Sequence, residues 1–172
     1  MIWLLACMHT PPHPPVDLKP AVTLERREFT DADGQYCAYE AESLFFGTQS
    51  LWSQEPPDAP NGCRPPGEQS RIVDVVGQDG QYVSAILREW GCCPQVVQLR
   101  CVTFDGLTGQ PVTLDTYDPK HAEKRQIRAD KLWERMGAPA GYVLDRDSFL
   151  VGKGHVTFCA INGEQLKEIK VR

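Results

Sequence analysis

The amino-acid sequence predicts an α+β domain: a mainly antiparallel sheet built from hairpins, with one main helix at about residues 119–136 packed on it. Three observations carry that expectation. Apolar and polar residues alternate with period two in several runs of strand length. Asp33-Gly34 and Asn162-Gly163 are tight-turn signals placed between such runs. One stretch, bracketed by Asp118-Pro119 and Gly137, changes to helical spacing.

From Leu24 to Glu42, alternating residues flank Asp33-Gly34 and read as a hairpin. Gln54 to Gln69 (QEPPDAPNGCRPPGEQ) is too rich in proline and glycine for a strand. A loop of this length inside a domain is tied down or functional, and Cys63 near its centre is the natural tie. Ser70–Val76 is a short β-like run. Tyr82–Trp90 and Val96–Phe104 read as paired strands joined by Gly91-Cys92-Cys93-Pro94. In the second of these, Val97, Leu99, Cys101 and Thr103 share one face, and Val96, Gln98, Arg100, Val102 and Phe104 the other. Asp105–Gly109 is a tight turn, and Pro111–Leu114 an extended end. Asp118 then offers an N-cap with Pro119 at the first helical position. Ala122, Ile127, Ala129, Leu132, Trp133 and Met136 recur at roughly helical spacing, and Gly137 with Pro139 closes the helix. The interleaved Lys, Arg and Glu form a solvated face. Tyr142–Leu144 leads into Ser148–Val151, and His155–Ile161 and Gln165–Val171 flank the Asn162-Gly163 turn.

The 172 residues are enough for one domain with a real core. A 41% hydrophobic and 24% charged composition is that of an ordinary folded chain. A net charge of −5 argues against nucleic acid as a partner, since phosphate binding calls for a basic face. No apolar run is long enough to span a membrane.

The chain opens MIWLLACMHTPPHPPV. Leu4-Leu5-Ala6-Cys7 has the form of a bacterial lipobox, in which a small residue precedes a cysteine whose thiol takes a diacylglyceryl group. Residues 1–7 are therefore read as the remnant of a lipoprotein signal peptide whose basic and apolar parts lie upstream. Residues 8–22 are read as a proline-rich tether and residues 23–172 as the folded domain. Met8, rather than an aspartate, follows the acceptor cysteine, which in a two-membrane bacterium points to the outer membrane. With Cys7 acylated, an even set remains: Cys37, Cys63, Cys92, Cys93, Cys101 and Cys159. In an oxidising compartment these are disulfide candidates. The adjacent pair Cys92 and Cys93 would each bond elsewhere. No C-x-x-C spacing of a structural zinc site occurs, so neither metal nor cofactor is expected.

The order of features from about Gln81 onward resembles the extracytoplasmic domain of lysozyme-sensing anti-sigma factors, a domain also found beside peptidoglycan deacetylase domains and in many bacterial lipoproteins. Its D-x-x-T-G-K-x-x-T-L stretch is matched by Asp105-Gly106-Leu107-Thr108-Gly109-Gln110-Pro111-Val112-Thr113-Leu114. Its Gly-Gly-Ala-His turn is replaced by Gly91-Cys92-Cys93-Pro94, which lacks the histidine. The resemblance covers about half the chain and implies an envelope protein that meets a lysozyme-like enzyme or the cell wall.

Candidate chemistry is sparse. His155 opens a strand after Gly152-Lys153-Gly154 and is read first as a structural strand-end histidine. Asp145 and Asp147 flank Arg146 and read as a solvated turn before a cation site. Neither Ser84 nor Ser148 sits in a G-x-S-x-G nucleophile turn. The expected function is a lipid-anchored binding or sensing module without catalysis of its own. Its ligand is a protein or peptidoglycan, and its candidate ligand surface includes Trp52, Trp90, Gly91 and Pro94. The alternatives are an envelope hydrolase or thiol-active enzyme using His155 with a cysteine, and an inhibitor or immunity lipoprotein against a toxin or lysozyme.

Overall fold

The structure, a computed structural model, describes residues 18–30, 34, 36–54, 69–91 and 96–172; the side chains at 29, 37, 39, 69, 70, 90, 91 and 96 are outside that description. Strands β1 (Pro20–Thr30), β2 (Tyr36–Phe46) and β3 (Gln49–Ser53) form one antiparallel meander. Strands β4 (Gln69–Asp79), β5 (Tyr82–Gly91) and β6 (Val96–Asp105) form a second. Helices α1 (Leu114–Tyr117) and α2 (Ala122–Arg135) follow, and β7 (Val143–Gly152), β8 (His155–Asn162) and β9 (Gln165–Val171) form the third. The expected single sheet is thus three meanders of three strands. Each strand pairs with its sequence neighbours, and no ladder of paired strands joins one meander to another.

The helix begins at Ala122, later than Asp118-Pro119 suggested. Asp118 does not cap it: its carboxylate is taken by His121 and Arg125, and its own N–H ends α1 on the Leu114 carbonyl at 2.8 Å. His121 holds the N-cap position of α2 without a side-chain cap bond, and Thr113 caps α1 instead, accepting from the Thr116 N–H at 3.3 Å, so Leu114 starts a helical turn rather than closing an extended segment. Gly137, at φ +81°, closes α2 as its position implied. At the other end of the fold, Leu18 packs against the core and β1 begins at Pro20, so ordered structure starts ahead of residue 23.

The second meander is the middle layer. On one of its faces Val83, Ala85, Leu87, Val102 and Phe104 pack against Leu44, Phe46 and Leu51 of the first. On the other, Ile86 and Cys101 meet Leu150 and Cys159 of the third. This explains why Cys101, Val102, Thr103 and Phe104 are all buried although their side chains alternate. The far face of the third meander, with Phe149, Val156, Phe158 and Ile169, is covered by Ala122 and Ala129 of α2 and by Leu114 of α1. β8 is consequently apolar on both faces.

β7 is an edge strand of its sheet, and its free backbone groups are met by the middle layer. The Val151 N–H donates to Ser84 Oγ at 2.7 Å, and Thr103 Oγ1 donates to the Phe149 carbonyl at 2.7 Å. Thr103 has one hydroxyl proton and spends it there, so the 2.8 Å contact between the two hydroxyls runs from Ser84 to Thr103. Ser148 Oγ donates to the Cys101 carbonyl at 2.8 Å. On β4, a Cβ at Gly77 would collide with the Val151 carbonyl, so only glycine lets β7 come this close. The Cys101–Cys159 disulfide crosses the same interface, with Cα atoms 6.5 Å apart.

The Asp105–Gln110 turn, which carries the family resemblance, is occupied with structure. Asp105 Oδ1 accepts from the Leu107 N–H at 2.8 Å and from Gln81 Nε2 at 3.0 Å. A side chain at Gly106 would strike Phe46, and one at Gly109, at φ +74°, would strike the Ser50 carbonyl. The turn therefore clamps the first meander to the second.

Two stability predictions follow from this interface. The disulfide closes a separation of 58 residues, so reduction lowers unfolding free energy by about 4 kcal/mol, read by denaturant titration with and without reductant. Gly77→Ala lowers it by about 1–3 kcal/mol through overpacking against backbone, whereas Gly80→Ala, with no atom within 4 Å of the added carbon, acts only through its φ of +58°.

Candidate functional site

An open groove of about 1030 Å³ lies at the margin between the second and third meanders. It exists because β7 breaks register with β8: Asp145 pairs with Cys159, but the next pair is Phe149 with Phe158, leaving residues 146–148 bulged outward. The Asp147 N–H donates to Asp145 Oδ1 at 2.9 Å, which sets the curve of the bulge. Ser148 roots it in the core through Cys101. Arg146 leans away and bonds Asp130 of α2 at 2.9 Å. The opposite wall comes from β5 and β6, where Arg100 pairs with Glu89 at 3.3 Å. The β8–β9 turn closes one end, held by the Leu99 N–H on the Gly163 carbonyl at 3.0 Å.

The groove thus combines carboxylates and guanidiniums with the apolar side chains of Leu99, Val143 and Ile161. Such a surface holds a polar ligand by paired, charge-assisted hydrogen bonds. Asp145 is committed to its own backbone turn, and among the described residues no cluster of three or more His, Cys, Asp or Glu could hold a metal ion.

A second polar cluster was hidden in the α1–α2 junction. Asp118 Oδ1 meets His121 Nδ1 at 3.0 Å, and Arg125 Nε donates to Asp118 Oδ2 at 2.8 Å. Tyr117 donates its hydroxyl to Asp79 Oδ2 at 2.6 Å. Burial, with help from Asp79, raises the Tyr117 phenol well above the ordinary range. Burial alone would raise Asp118 too, but the hydrogen bond from His121 and the charge of Arg125 outweigh it, and its carboxyl lies below the ordinary value. The spacing Asp118, His121, Arg125 was the available signal: on helical geometry these residues share a face. Reading Asp118 as a cap concealed it.

The sites expected from sequence are distributed differently. Cys101 and Cys159 are brought together as a disulfide. Cys7, Cys63, Cys92, Cys93 and Pro94 lie outside the described residues, as does the side chain of Cys37. Residues 55–68, expected as a long loop, also lie outside the described residues; before them Gln54 is buried and bonds Glu42, and after them Gln69 pairs with Trp90. Trp52 is half-buried on β3 against the core between the first two meanders. Trp90 and Gly91 end β5, directly after Glu89 of the groove, and the Trp90 side chain is not described. His155 packs its ring over Gly152, with Nδ1 3.2 Å from the Lys153 carbonyl. Cys159, on its own strand, is already oxidised.

Compared with protein families, with curated proteins and with solved structures, the chain matches none.

The Asp118 cluster has a pH signature. A carboxyl whose folded pKa is depressed stabilises the fold above its unfolded value, and that contribution disappears as pH falls through the folded one. Asp118→Asn therefore lowers stability by about 1–2 kcal/mol at neutral pH. The gap between variant and parent narrows below the ordinary carboxyl value of 3.8, as read by denaturant midpoints across pH.

Proposed function

We propose that this chain is a lipoprotein of the bacterial cell envelope whose folded part is a binding or sensing module, with no catalysis of its own. In this reading Cys7 carries the lipid and the proline-rich segment after it is the tether. The ligand, a protein or a cell-wall component, seats in the groove between the second and third meanders.

The observation that carries the reading is the Cys101–Cys159 disulfide. Both cysteines are buried, and the bond joins two layers across the core rather than linking exposed loops. A structural bridge of this kind forms and persists where thiols are oxidised. The groove adds support, being open, charged on its walls and lined by rigid strands. Among the described residues no helix is long and apolar enough to cross a membrane, which leaves anchoring to the N-terminal cysteine in this account. The resemblance of residues 105–114 to the lysozyme-sensing family supports a lysozyme-like enzyme or peptidoglycan as the first ligands to try.

The test has two parts. Native protein from membranes is expected to yield an N-terminal peptide carrying a diacylglyceryl group on Cys7, with Cys101 and Cys159 resistant to alkylation before reduction. Recovery from cytosol, unacylated and with those thiols free, overturns the envelope reading. For the ligand, immobilised protein is incubated with peptidoglycan and with lysozyme-type enzymes. Retention that drops at least about tenfold in Arg100→Glu supports the groove, and retention of neither probe removes both proposed ligands.

A further inference from the structure

The charges of α2 are not mixed around the helix. At helical spacing Lys124, Arg128, Lys131 and Arg135 form one stripe, whereas Glu123, Asp130 and Glu134 form another. Asp130 is drawn toward β7 by Arg146, which turns the acidic stripe away from the opposite flank. On that flank, Arg128, Lys131 and Arg135 face Lys170 and Arg172, at the end of β9, across a groove of about 500 Å³. No Asp or Glu side chain lines it, in a chain whose net charge is −5.

Arg128 is pre-oriented, donating from Nη1 to the main-chain oxygen of Arg172 at 2.6 Å. Lys131, Arg135 and Lys170 form no ion pair among the described residues. Like charges gathered on one exposed flank repel one another, and a bound anion relieves that repulsion. The groove floor is apolar, formed by Leu132 and Val171.

We propose that this groove and the flank of α2 beside it dock on a membrane surface bearing anionic phospholipid headgroups. The phosphates seat among the cations, over the apolar floor of the groove. The apolar elements decide between anions. Free phosphate makes no use of the apolar floor, and no aromatic side chain on which a nucleic-acid base could stack lines the groove. The contact is independent of any acyl chain and of the ligand groove, which lies on the other flank of α2 with Arg146.

The test uses the full chain with Cys7→Ser, so that no lipid anchor contributes, in co-sedimentation with phosphatidylcholine vesicles containing or lacking phosphatidylglycerol. Binding is expected only with phosphatidylglycerol, and it weakens as salt rises. Lys131→Glu with Arg135→Glu, both exposed positions, lowers the partition coefficient by on the order of 100-fold or more while the thermal midpoint stays within a few degrees. Arg100→Glu, in the other groove, leaves vesicle binding unchanged. Equal binding to both vesicle types, no binding, or full binding by the charge-reversed variant overturns the proposal. So does retention by single-stranded DNA or polyphosphate without vesicle affinity. Because the anchor is absent from this assay, its outcome is separable from that of the acylation test.

Discussion

Everything beyond the three hairpin meanders depends on how one unpaired strand edge is satisfied. β7 offers a free N–H at Val151 and a free carbonyl at Phe149, and both would be costly to bury without partners. Two small hydroxyl side chains, Ser84 and Thr103, receive them through a directional relay. The relay requires the strand to approach the middle sheet more closely than ordinary face-to-face packing, and Gly77 supplies the room. Two side chains and one missing side chain therefore fix where the third meander sits. The Cys101–Cys159 bond then fastens an arrangement the relay has already defined.

The candidate ligand groove is a consequence of that docking. A strand cannot follow its hairpin partner along its whole length and also seat its middle on another sheet. β7 resolves the conflict by bulging at residues 146–148, between the pair Asp145–Cys159 and the pair Phe149–Phe158. The bulge leaves an opening at the sheet margin and carries Arg146 to the helix. The groove walls and the contact of the bulge with α2 thus share one mechanical origin. The helix repeat separates acidic from basic residues, and the docking of α2 sets the basic flank against β9.

Much of the strand content was legible because hairpins are local. Asn162-Gly163 joins β8 to β9 as its residue types imply, and the alternation in Val96–Phe104 follows the observed faces of β6. Periodicity reports which residues share a face, but it does not report what covers that face. It was silent on the middle sheet being covered twice, on three sheets standing where one was expected, and on the bulge in β7. The Asp118 cluster was misread for a related reason. A carboxylate before a helix has two local uses, as a backbone cap or as a side-chain partner, and only the positions of His121 and Arg125 decide between them.

By itself the sequence determined the predominance of antiparallel strands, the Asn162-Gly163 turn, the existence of one main helix and the candidacy of Cys101 and Cys159, because each is encoded within a few neighbouring residues. Tertiary structure alone decided that those two cysteines meet, that Ser84 and Thr103 are hinge-pins rather than bystanders, and that the basic flank of α2 faces Lys170 and Arg172. These features depend on contacts between residues tens of positions apart, where chain connectivity carries no distance information and only the packed interface selects the partner.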